Sequence, residues 1–105
     1  MYKIIITDID NNLLDAVQLE LDKLNIYYDS IEKDIGKPGI SAIIEPFVLQ
    51  DIIDKLHEAQ IYINIRCIEL RLNDDEYYEL HKRILLVNTK TKERKTEVNI
   101  YEIEQ

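Results

Sequence analysis

Apolar residues first alternate and then recur at helical spacing in the first part of the chain. Residues 2–7 form an isoleucine-rich run, and apolar residues at intervals of three or four follow it. Alternation places side chains on one face of a strand, whereas spacings of three and four place them on one face of an α-helix. The pattern predicts a strand, a helix that ends at Asn25 and a second strand over residues 26–31. The helical stripe comprises Leu14, Val17, Leu21 and Leu24.

A second unit of the same kind follows a turn over residues 36–39, which holds both glycines of the chain. Residues 40–44 predict a third strand, and Pro46 suits the first position of a second helix. Residues 61–72 predict a long strand, in which a change of apolar phase indicates a β-bulge near Cys67. The second helical stripe comprises Leu49, Ile52, Ile53, Leu56 and Ala59.

The last third of the chain adds strand patterns without another helix. Turn residues at 73–75, basic residues in the segment 90–95 and a strand around Val98 and Ile100 predict a C-terminal β-hairpin. The order β-α-β-β-α-β is that of a ferredoxin-like sandwich, with both helices on one face of an antiparallel sheet. The prediction is therefore an α+β fold in one domain, residues 1–105, with a ferredoxin-like βαββαβ core (1–72) and a C-terminal β-hairpin extension (73–105). The side chains predicted to be buried against the sheet include Leu14, Val17, Leu21, Ile52, Ile53 and Leu56.

Composition supports a sheet-rich core and excludes several classes of protein. The chain has 105 residues, of which 46% are hydrophobic, with nineteen isoleucines and seven tyrosines against three alanines. Isoleucine and tyrosine favour strands, whereas alanine is expected in helical bundles. No apolar run reaches the ~18 residues of a membrane helix, and the first one is too short for a signal peptide. A single cysteine excludes an internal disulfide and suits a reducing compartment, so we expect a cytoplasmic protein.

Charge is distributed unevenly along the chain. The formal net charge is -8, which argues against direct binding of nucleic acid. Residues 1–81 hold 17 acidic and 7 basic residues, whereas residues 82–95 hold 1 acidic and 6 basic. One interpretation is a solvated surface; the other is an acidic body that engages a basic protein partner. The candidate contact residues are Asp15, Asp22, Asp74, Asp75, Glu76 and Glu79.

Two segments resemble small regulatory domains. Residues 41–56, in which a strand runs through Glu45-Pro46-Phe47 into a helix, resemble the opening of PII signalling proteins. Residues 10–31, with the pair Asn25-Ile26 between helix and strand, are similar to ACT domains. Both families are small oligomeric sensors of metabolites or nucleotides, so the resemblance implies a ligand site and a homo-oligomer, either a dimer or the trimer of PII-type proteins. The candidate ligand-binding residues are Asp10, Asn11, Asn12, Lys37 and Gly39.

A third resemblance concerns catalysis. Residues 6–15 resemble the first motif of haloacid-dehalogenase-type phosphatases, in which Asp8 would attack phosphorus and Asp10 would act as general acid beside magnesium. That family has Gly and Thr where Asn11 and Asn12 stand, and its doubly wound parallel sheet needs more βαβ units than this chain holds. We therefore expect Asp8 and Asp10 to be strand-end and helix-capping carboxylates.

The remaining residues predict no enzyme, cofactor or metal site. The sequence has no Gly-rich phosphate loop, and neither His57 nor His81 has a further ligand at metal-site spacing. The predicted function is a non-enzymatic regulatory or binding protein that senses a small molecule, such as a nucleotide or an amino acid, or a protein partner. The alternative is a small acidic inhibitor of a nucleic-acid-binding enzyme, such as a phage anti-defence protein (an anti-CRISPR), an immunity protein or an antitoxin.

Overall fold

The computed structural model describes residues 1–7, 9–31 and 37–98, which form an α+β fold. The strands of this part make one antiparallel sheet of six strands, in the order β2-β3-β1-β4-β5-β6. In these ranges neither helix has the length and apolar character needed to cross a membrane. In chain order the elements are β1 (Tyr2–Ile6), α1 (Asn11–Lys23), β2 (Asp29–Ile31), β3 (Gly39–Ile44), α2 (Val48–Glu58), β4 (Asn64–Asn73), β5 (Glu76–Asn88) and β6 (Arg94–Val98).

The hydrophobic core lies between the two helices and one face of the sheet. Alternate residues of β1 and β3, among them Ile4, Ile6 and Ile40, are buried in one cluster with the apolar stripes of α1 and α2. Full burial of one such side chain stabilises the fold by roughly 1.5–3 kcal/mol. Of the predicted core, Leu14 in the first turn of α1 is half-buried. The predicted residues that are fully buried are Val17, Leu21, Ile52, Ile53 and Leu56.

α1 ends in a Schellman motif, which fixes where the next strand can begin. Asn25 has a left-handed backbone (φ 57°), and its N–H donates to the carbonyl of Asp22 at 3.0 Å. The N–H of Ile26 donates to the carbonyl of Leu21 at 3.1 Å, which completes the motif. Because Ile26 belongs to this helix end, the predicted strand over residues 26–31 is too long, and β2 begins at Asp29.

α2 ends in the same motif. Gln60 has φ 58° and donates its N–H to the carbonyl of His57 at 3.0 Å, and the N–H of Ile61 donates to the carbonyl of Leu56 at 2.9 Å. The predicted strand over residues 61–72 therefore starts late, because Ile61 is held by the helix end and β4 begins at Asn64. The two helix–strand corners thus share one hydrogen-bonding pattern.

α2 is shorter than the sequence predicts at both ends. It begins two residues later than Pro46, and its buried stripe ends before Ala59. Pro46 is predicted to be the first helical residue, but Pro46 and Phe47 form a turn and α2 begins at Val48. The N–H of Val48 donates to the carbonyl of Glu45 at 3.0 Å, a three-residue step that precedes the regular helix. Ala59 is the C-cap residue and is exposed, so it does not extend the buried stripe.

A two-residue turn joins β4 to β5. Asp74 and Asp75 have φ values of 50° and 67°, and Asn73 pairs with Glu76 directly before and after them. Positive φ at both central residues of a two-residue hairpin is the signature of a type I′ turn. The predicted turn over residues 73–75 is therefore confirmed.

The register between β4 and β5 shifts in mid-strand. Ile68 pairs with Ile84, but the next residue of β4, Glu69, pairs with Leu80. Residues 81–83 of β5 consequently have no partner in β4 at this point. The irregularity predicted near Cys67 is confirmed, and it falls between Ile68 and Glu69.

The basic segment predicted as a hairpin tip does join two strands. The turn after β5 contains Lys92 with φ 61°, whose N–H donates to the carbonyl of Asn88 at 2.8 Å. β6 then pairs antiparallel with β5 from Arg94 to Val98. The predicted strand around Ile100 lies outside the described residues.

Candidate functional site

A cleft of about 360 Å³ opens at the end of the sheet where β1 leads into α1 and where α2 leads into β4. Small-molecule sites in proteins have volumes of ~300–1,000 Å³, so this cleft has the size for a small metabolite. Its lining combines apolar side chains with a hydroxyl, a phenol, an amide and two opposite charges. The lining residues are Thr7, Ile9, Asp10, Leu13, Lys37, Tyr62, Ile63 and Asn64.

Asp10 and Lys37 meet at this cleft. The Nζ of Lys37 lies 2.8 Å from a carboxylate oxygen of Asp10, and the side chains are 55% and 76% exposed. An ion pair this exposed is screened by water and contributes at most about 1 kcal/mol to stability. Both charged groups therefore face solvent. Each can give up its ion-pair partner and bind an oppositely charged group of a ligand instead.

The prediction that Asp10 caps α1 with its side chain is wrong. Asp10 does occupy the N-cap position, and its backbone carbonyl accepts from the N–H of Leu14 at 2.8 Å. Its carboxylate, however, makes no hydrogen bond to the first turn of the helix, because it points to Lys37 instead. Asp8, the other carboxylate of the phosphatase-like motif, lies outside the described residues.

The other predicted ligand residues lie outside the lining of this cleft. Asn11 and Asn12 are exposed in the first turn of α1 and do not line the cleft. Gly39 is buried where β3 begins beside the end of β1, and a Cβ there would overlap the carbonyl oxygen of Ile6. Only glycine fits this approach without a backbone shift, so packing accounts for Gly39.

The wall contributed by the start of β4 was missed in the sequence. Tyr62 and Asn64 follow directly on the end of α2, and Tyr62 is 47% exposed. The Nζ of Lys90 lies 5.6 Å from the centre of the Tyr62 ring, and the His57 ring packs against it at 6.0 Å. A cation over a tyrosine face is attracted by the ring quadrupole. The signal that could have indicated this wall in the sequence is an aromatic and an amide residue shortly after the predicted end of the helix.

Thr89 anchors this wall to the rest of the sheet. It is fully buried, its Oγ1 donates to the carbonyl of Ile61 at 2.7 Å, and it accepts from the N–H of Ile63 at 2.8 Å. The Nδ1 of His57 donates to the Thr89 carbonyl at 2.9 Å. These bonds satisfy backbone groups that β4 pairing does not reach, and they fix the position of Tyr62 between them.

Cys67, the one cysteine of the chain, is buried in β4. Burial raises the pKa of the Cys67 thiol to about 12, so this cysteine is neutral and a poor nucleophile at physiological pH. Across the ranges described, no three His, Cys, Asp or Glu side chains lie close enough together to hold a metal ion. What the cleft does offer is a paired anion and cation beside apolar and hydrogen-bonding groups.

The acidic residues proposed for partner binding fall into three places. Asp15 and Asp22 lie about two turns apart on α1 and are exposed. Glu79 is 2.6 Å from the Nζ of Lys3, which alternates with the buried Ile4, so this pair lies on the sheet face without helices. The remaining three, Asp74, Asp75 and Glu76, are exposed at the β4–β5 turn.

The acidic and basic turns lie at opposite ends of one strand. β5 is 13 residues long; the acidic β4–β5 turn precedes it and the basic turn at residues 89–93 follows it. At the basic end Lys92 pairs with Asp54 of α2 at 3.0 Å, and Arg94 donates to the side chain of Gln50 at 2.7 Å. The acidic residues 74–76 and the basic residues of the turn after β5 are therefore separated along the sheet.

No protein-family model, no curated protein and no solved structure matches this chain. The resemblances to PII proteins and ACT domains therefore remain predictions from the sequence.

Proposed function

We propose that this protein is a non-enzymatic binding module with a ferredoxin-like core, and that its cleft senses a small metabolite. The element order from β1 to β4 supports the ferredoxin-like assignment, as does the antiparallel strand order β2-β3-β1-β4 within the sheet. β5 and β6 then extend the sheet beyond β4 as the proposed C-terminal addition.

The observation that carries the binding proposal is the meeting of Asp10 and Lys37. The sequence singles out both residues as ligand candidates although they are far apart in the chain, and they form an ion pair at the rim of one cleft. Apolar groups of Ile9, Leu13 and Ile63 line the same cleft. A pocket with a few convergent polar groups on an apolar lining is the usual form of a metabolite site.

The charges of the cleft favour an amino acid over a nucleotide. Asp10 complements an ammonium group and Lys37 complements a carboxylate, so a zwitterion replaces the internal ion pair with two external ones. The apolar lining then receives the side chain of the ligand. A nucleotide would need several phosphate donors, and this cleft provides one lysine among its lining residues.

Thermal unfolding with a panel of amino acids and nucleotides tests the proposal. A ligand that binds only the folded state raises the melting temperature, and the rise grows with ligand concentration. We expect an amino acid to stabilise the native chain but neither Asp10→Asn nor Lys37→Gln. Asp51→Asn, an exposed change on α2, is the matched control and should keep the response. A panel without any stabilising member, or a response that survives both cleft variants, would refute the proposal.

The proposed module assembles as a dimer through the sheet face that the helices leave uncovered. One row of paired residues crosses this whole face, from an acidic edge to a basic one. On the neighbouring row of the same face Ile43 is 52% exposed, whereas Ile68 and Ile84 are buried. The crossing row consists of Asp29, Ser41, Ile5, Arg66, Leu86 and Lys95.

A two-fold axis parallel to the strands makes this face self-complementary. Such an axis exchanges the two edges, so Asp29 of one copy faces Lys95 of the other. Between these ends, Ser41 faces Leu86 and Ile5 faces Arg66. Symmetric dimers of this kind use the same patch on both subunits. The trimer implied by the PII resemblance would not bring opposite edges of one row together.

The acidic inhibitor is the second candidate, and one observation favours it. Asp74, Asp75 and Glu76 are exposed at the far end of the β4–β5 hairpin, away from the basic turn that would repel the same partner. A projecting acidic tip is suited to steer association with a basic surface such as a nucleic-acid-binding enzyme.

A further inference from the structure

A notch of about 360 Å³ lies at the opposite end of α1 from the cleft. It forms where the Schellman motif of α1 turns the chain toward β2. Tyr27 in this notch is 96% exposed, so its ring makes almost no contact with the rest of the protein. The lining residues are Asp22, Asn25, Ile26, Tyr27 and Tyr28.

The corner at the end of α2 has a lysine ammonium over the tyrosine in the corresponding position. Tyr27 and Tyr62 occupy equivalent places, each directly after the isoleucine that closes a Schellman motif. Tyr62 is 47% exposed and has the ammonium of Lys90 5.6 Å from its ring centre. Within the ranges described, no lysine or arginine lies over the Tyr27 ring.

The notch also carries a negative charge. Asp22 is exposed on its wall, and its position in the α1 motif is that of His57 in the α2 motif. Partial loss of hydration raises the pKa of Tyr28, and the Asp22 carboxylate beside the phenol raises it further. The corner of α1 therefore combines an uncovered aromatic face with a carboxylate at hydrogen-bonding range of a neighbouring phenol.

We infer that this notch binds an arginine side chain of a protein partner, with the guanidinium stacked on Tyr27 and hydrogen-bonded to Asp22. Arginine fits better than lysine because its planar guanidinium stacks on an aromatic face and presents two parallel N–H groups to one carboxylate. The guanidinium would occupy the place over Tyr27 that Lys90 occupies over Tyr62. This site is separate from the metabolite cleft and does not depend on it.

NMR titration of the full chain with a short peptide tests the inference. The probe is acetyl-Gly-Gly-Arg-Gly-Gly-amide, whose blocked ends remove the α-ammonium and carboxylate that the cleft would bind. The control peptide carries citrulline, which has nearly the same shape as arginine but no charge. We expect amide shifts confined to residues 22–28 with the arginine peptide, and none with the citrulline peptide.

Variants of the notch locate the interaction. Tyr27→Ala and Asp22→Asn should each weaken binding about fivefold, the factor that corresponds to roughly 1 kcal/mol for an exposed cation–π contact or ion pair. Asp15→Asn removes one exposed carboxylate from the same helix and should leave binding unchanged. Lys37→Gln, in the cleft, should also leave binding of the arginine peptide unchanged. The experiment therefore distinguishes a failure of the notch inference from a failure of the cleft proposal.

Three outcomes would overturn the inference. One is equal binding of the citrulline peptide, and another is unchanged binding in Tyr27→Ala. The third is an equal loss in Asp15→Asn and Asp22→Asn, which would show general attraction to acidic residues. Because the Tyr27 side chain is almost wholly exposed, its removal should leave the melting temperature unchanged, and each variant is checked in this way.

Discussion

Asn25 and Gln60 occupy the same position in two copies of one structural corner. Each is the left-handed residue after a helix, and the N–H of each donates at 3.0 Å to the carbonyl three residues earlier. Asparagine adopts this conformation more readily than other residues with a Cβ, whereas glutamine does so at a cost of roughly 1–2 kcal/mol. The two corners therefore carry unequal backbone strain.

Replacing Gln60 by glycine should stabilise the protein. Glycine removes the steric cost of φ 58° but increases the entropy of the unfolded chain, so we expect a net gain of about 0.5–1 kcal/mol. Asn25→Gly is the matched change and should gain less. Urea unfolding of both variants measures the difference; an equal gain, or a loss at Gln60, would contradict it.

Replacing Thr89 by valine should destabilise the fold although the two side chains have nearly the same shape. Valine leaves the N–H of Ile63 and the carbonyl of Ile61 without the hydroxyl partner they have in this buried position. An unsatisfied buried group costs about 1–3 kcal/mol. Thr96→Val, at an exposed position of β6, is the control and should change the free energy of unfolding by less than about 0.5 kcal/mol.

Cys67 should make stability fall at alkaline pH. Burial raises its pKa in the folded protein from 9.0 to about 12, so this thiol's contribution is complete below pH 9 and is lost as pH rises toward 12. The loss should approach about 1.4 kcal/mol per pH unit in that window. The Cys67→Ala variant is less stable at pH 7 but should show a shallower decline. Parallel curves of unfolding free energy between pH 9 and 11 would contradict this account.

Charge reversal at the two ends of the sheet row tests the dimer. Asp29→Lys and Lys95→Asp should each weaken self-association, because each places like charges opposite one another in the two-fold arrangement. The double variant restores opposite charges and should recover the dimer. Sedimentation equilibrium gives the association constants; a monomeric native chain, or a double variant no better than either single one, would rule out this arrangement.

The β4–β5 turn allows its charge to be removed without strain. Lysine at Asp74 or Asp75 would occupy a left-handed conformation, so charge reversal there would mix a backbone cost with the loss of charge. Asp74→Asn with Asp75→Gly gives the sequence that type I′ turns prefer. We expect this double variant to be about 1 kcal/mol more stable in urea.

The same variant tests the inhibitor candidate. If the acidic tip steers a basic partner, the association rate should fall in the variant and in higher salt, with little change in dissociation. For a basic partner recovered by pull-down with the native chain, surface plasmon resonance separates the two rates. An unchanged association rate would remove the tip from the interface.

Periodicity in the sequence was sufficient to predict the layers of this fold. The stripes of α1 and α2 and the alternation in β1 and β3 reflect which side chains reach the core. At the helix ends the spacing is a weaker guide, since Leu14 is half-buried and Ala59 is exposed. Strand starts were less predictable because Ile26 and Ile61 are apolar and β-branched, yet both close a helix. Their role depends on the backbone conformation of Asn25 and Gln60, which an apolar pattern does not encode.

The cleft was predictable in part. Asp10 and Lys37 could be singled out as charged residues at a strand–helix junction and a glycine turn. Their ion pair could not be predicted, because it depends on the approach of distant segments in three dimensions. The same ion pair explains why the Asp10 side chain does not cap the helix. Tyr62 and Asn64 reach the same cleft from the other half of the chain for the same reason.

In a chain with a net charge of -8, the described sheet has an acidic turn at one end of β5 and a basic turn at the other. In the field of a positively charged surface the acidic end turns forward and the basic end trails. The Tyr27 notch lies at the C-terminal end of α1, toward the acidic turn, whereas the Asp10–Lys37 cleft lies beside Lys90 at the basic end. Diffusional encounter thus presents the notch to cationic macromolecules, and the cleft stays accessible to small solutes on the trailing side.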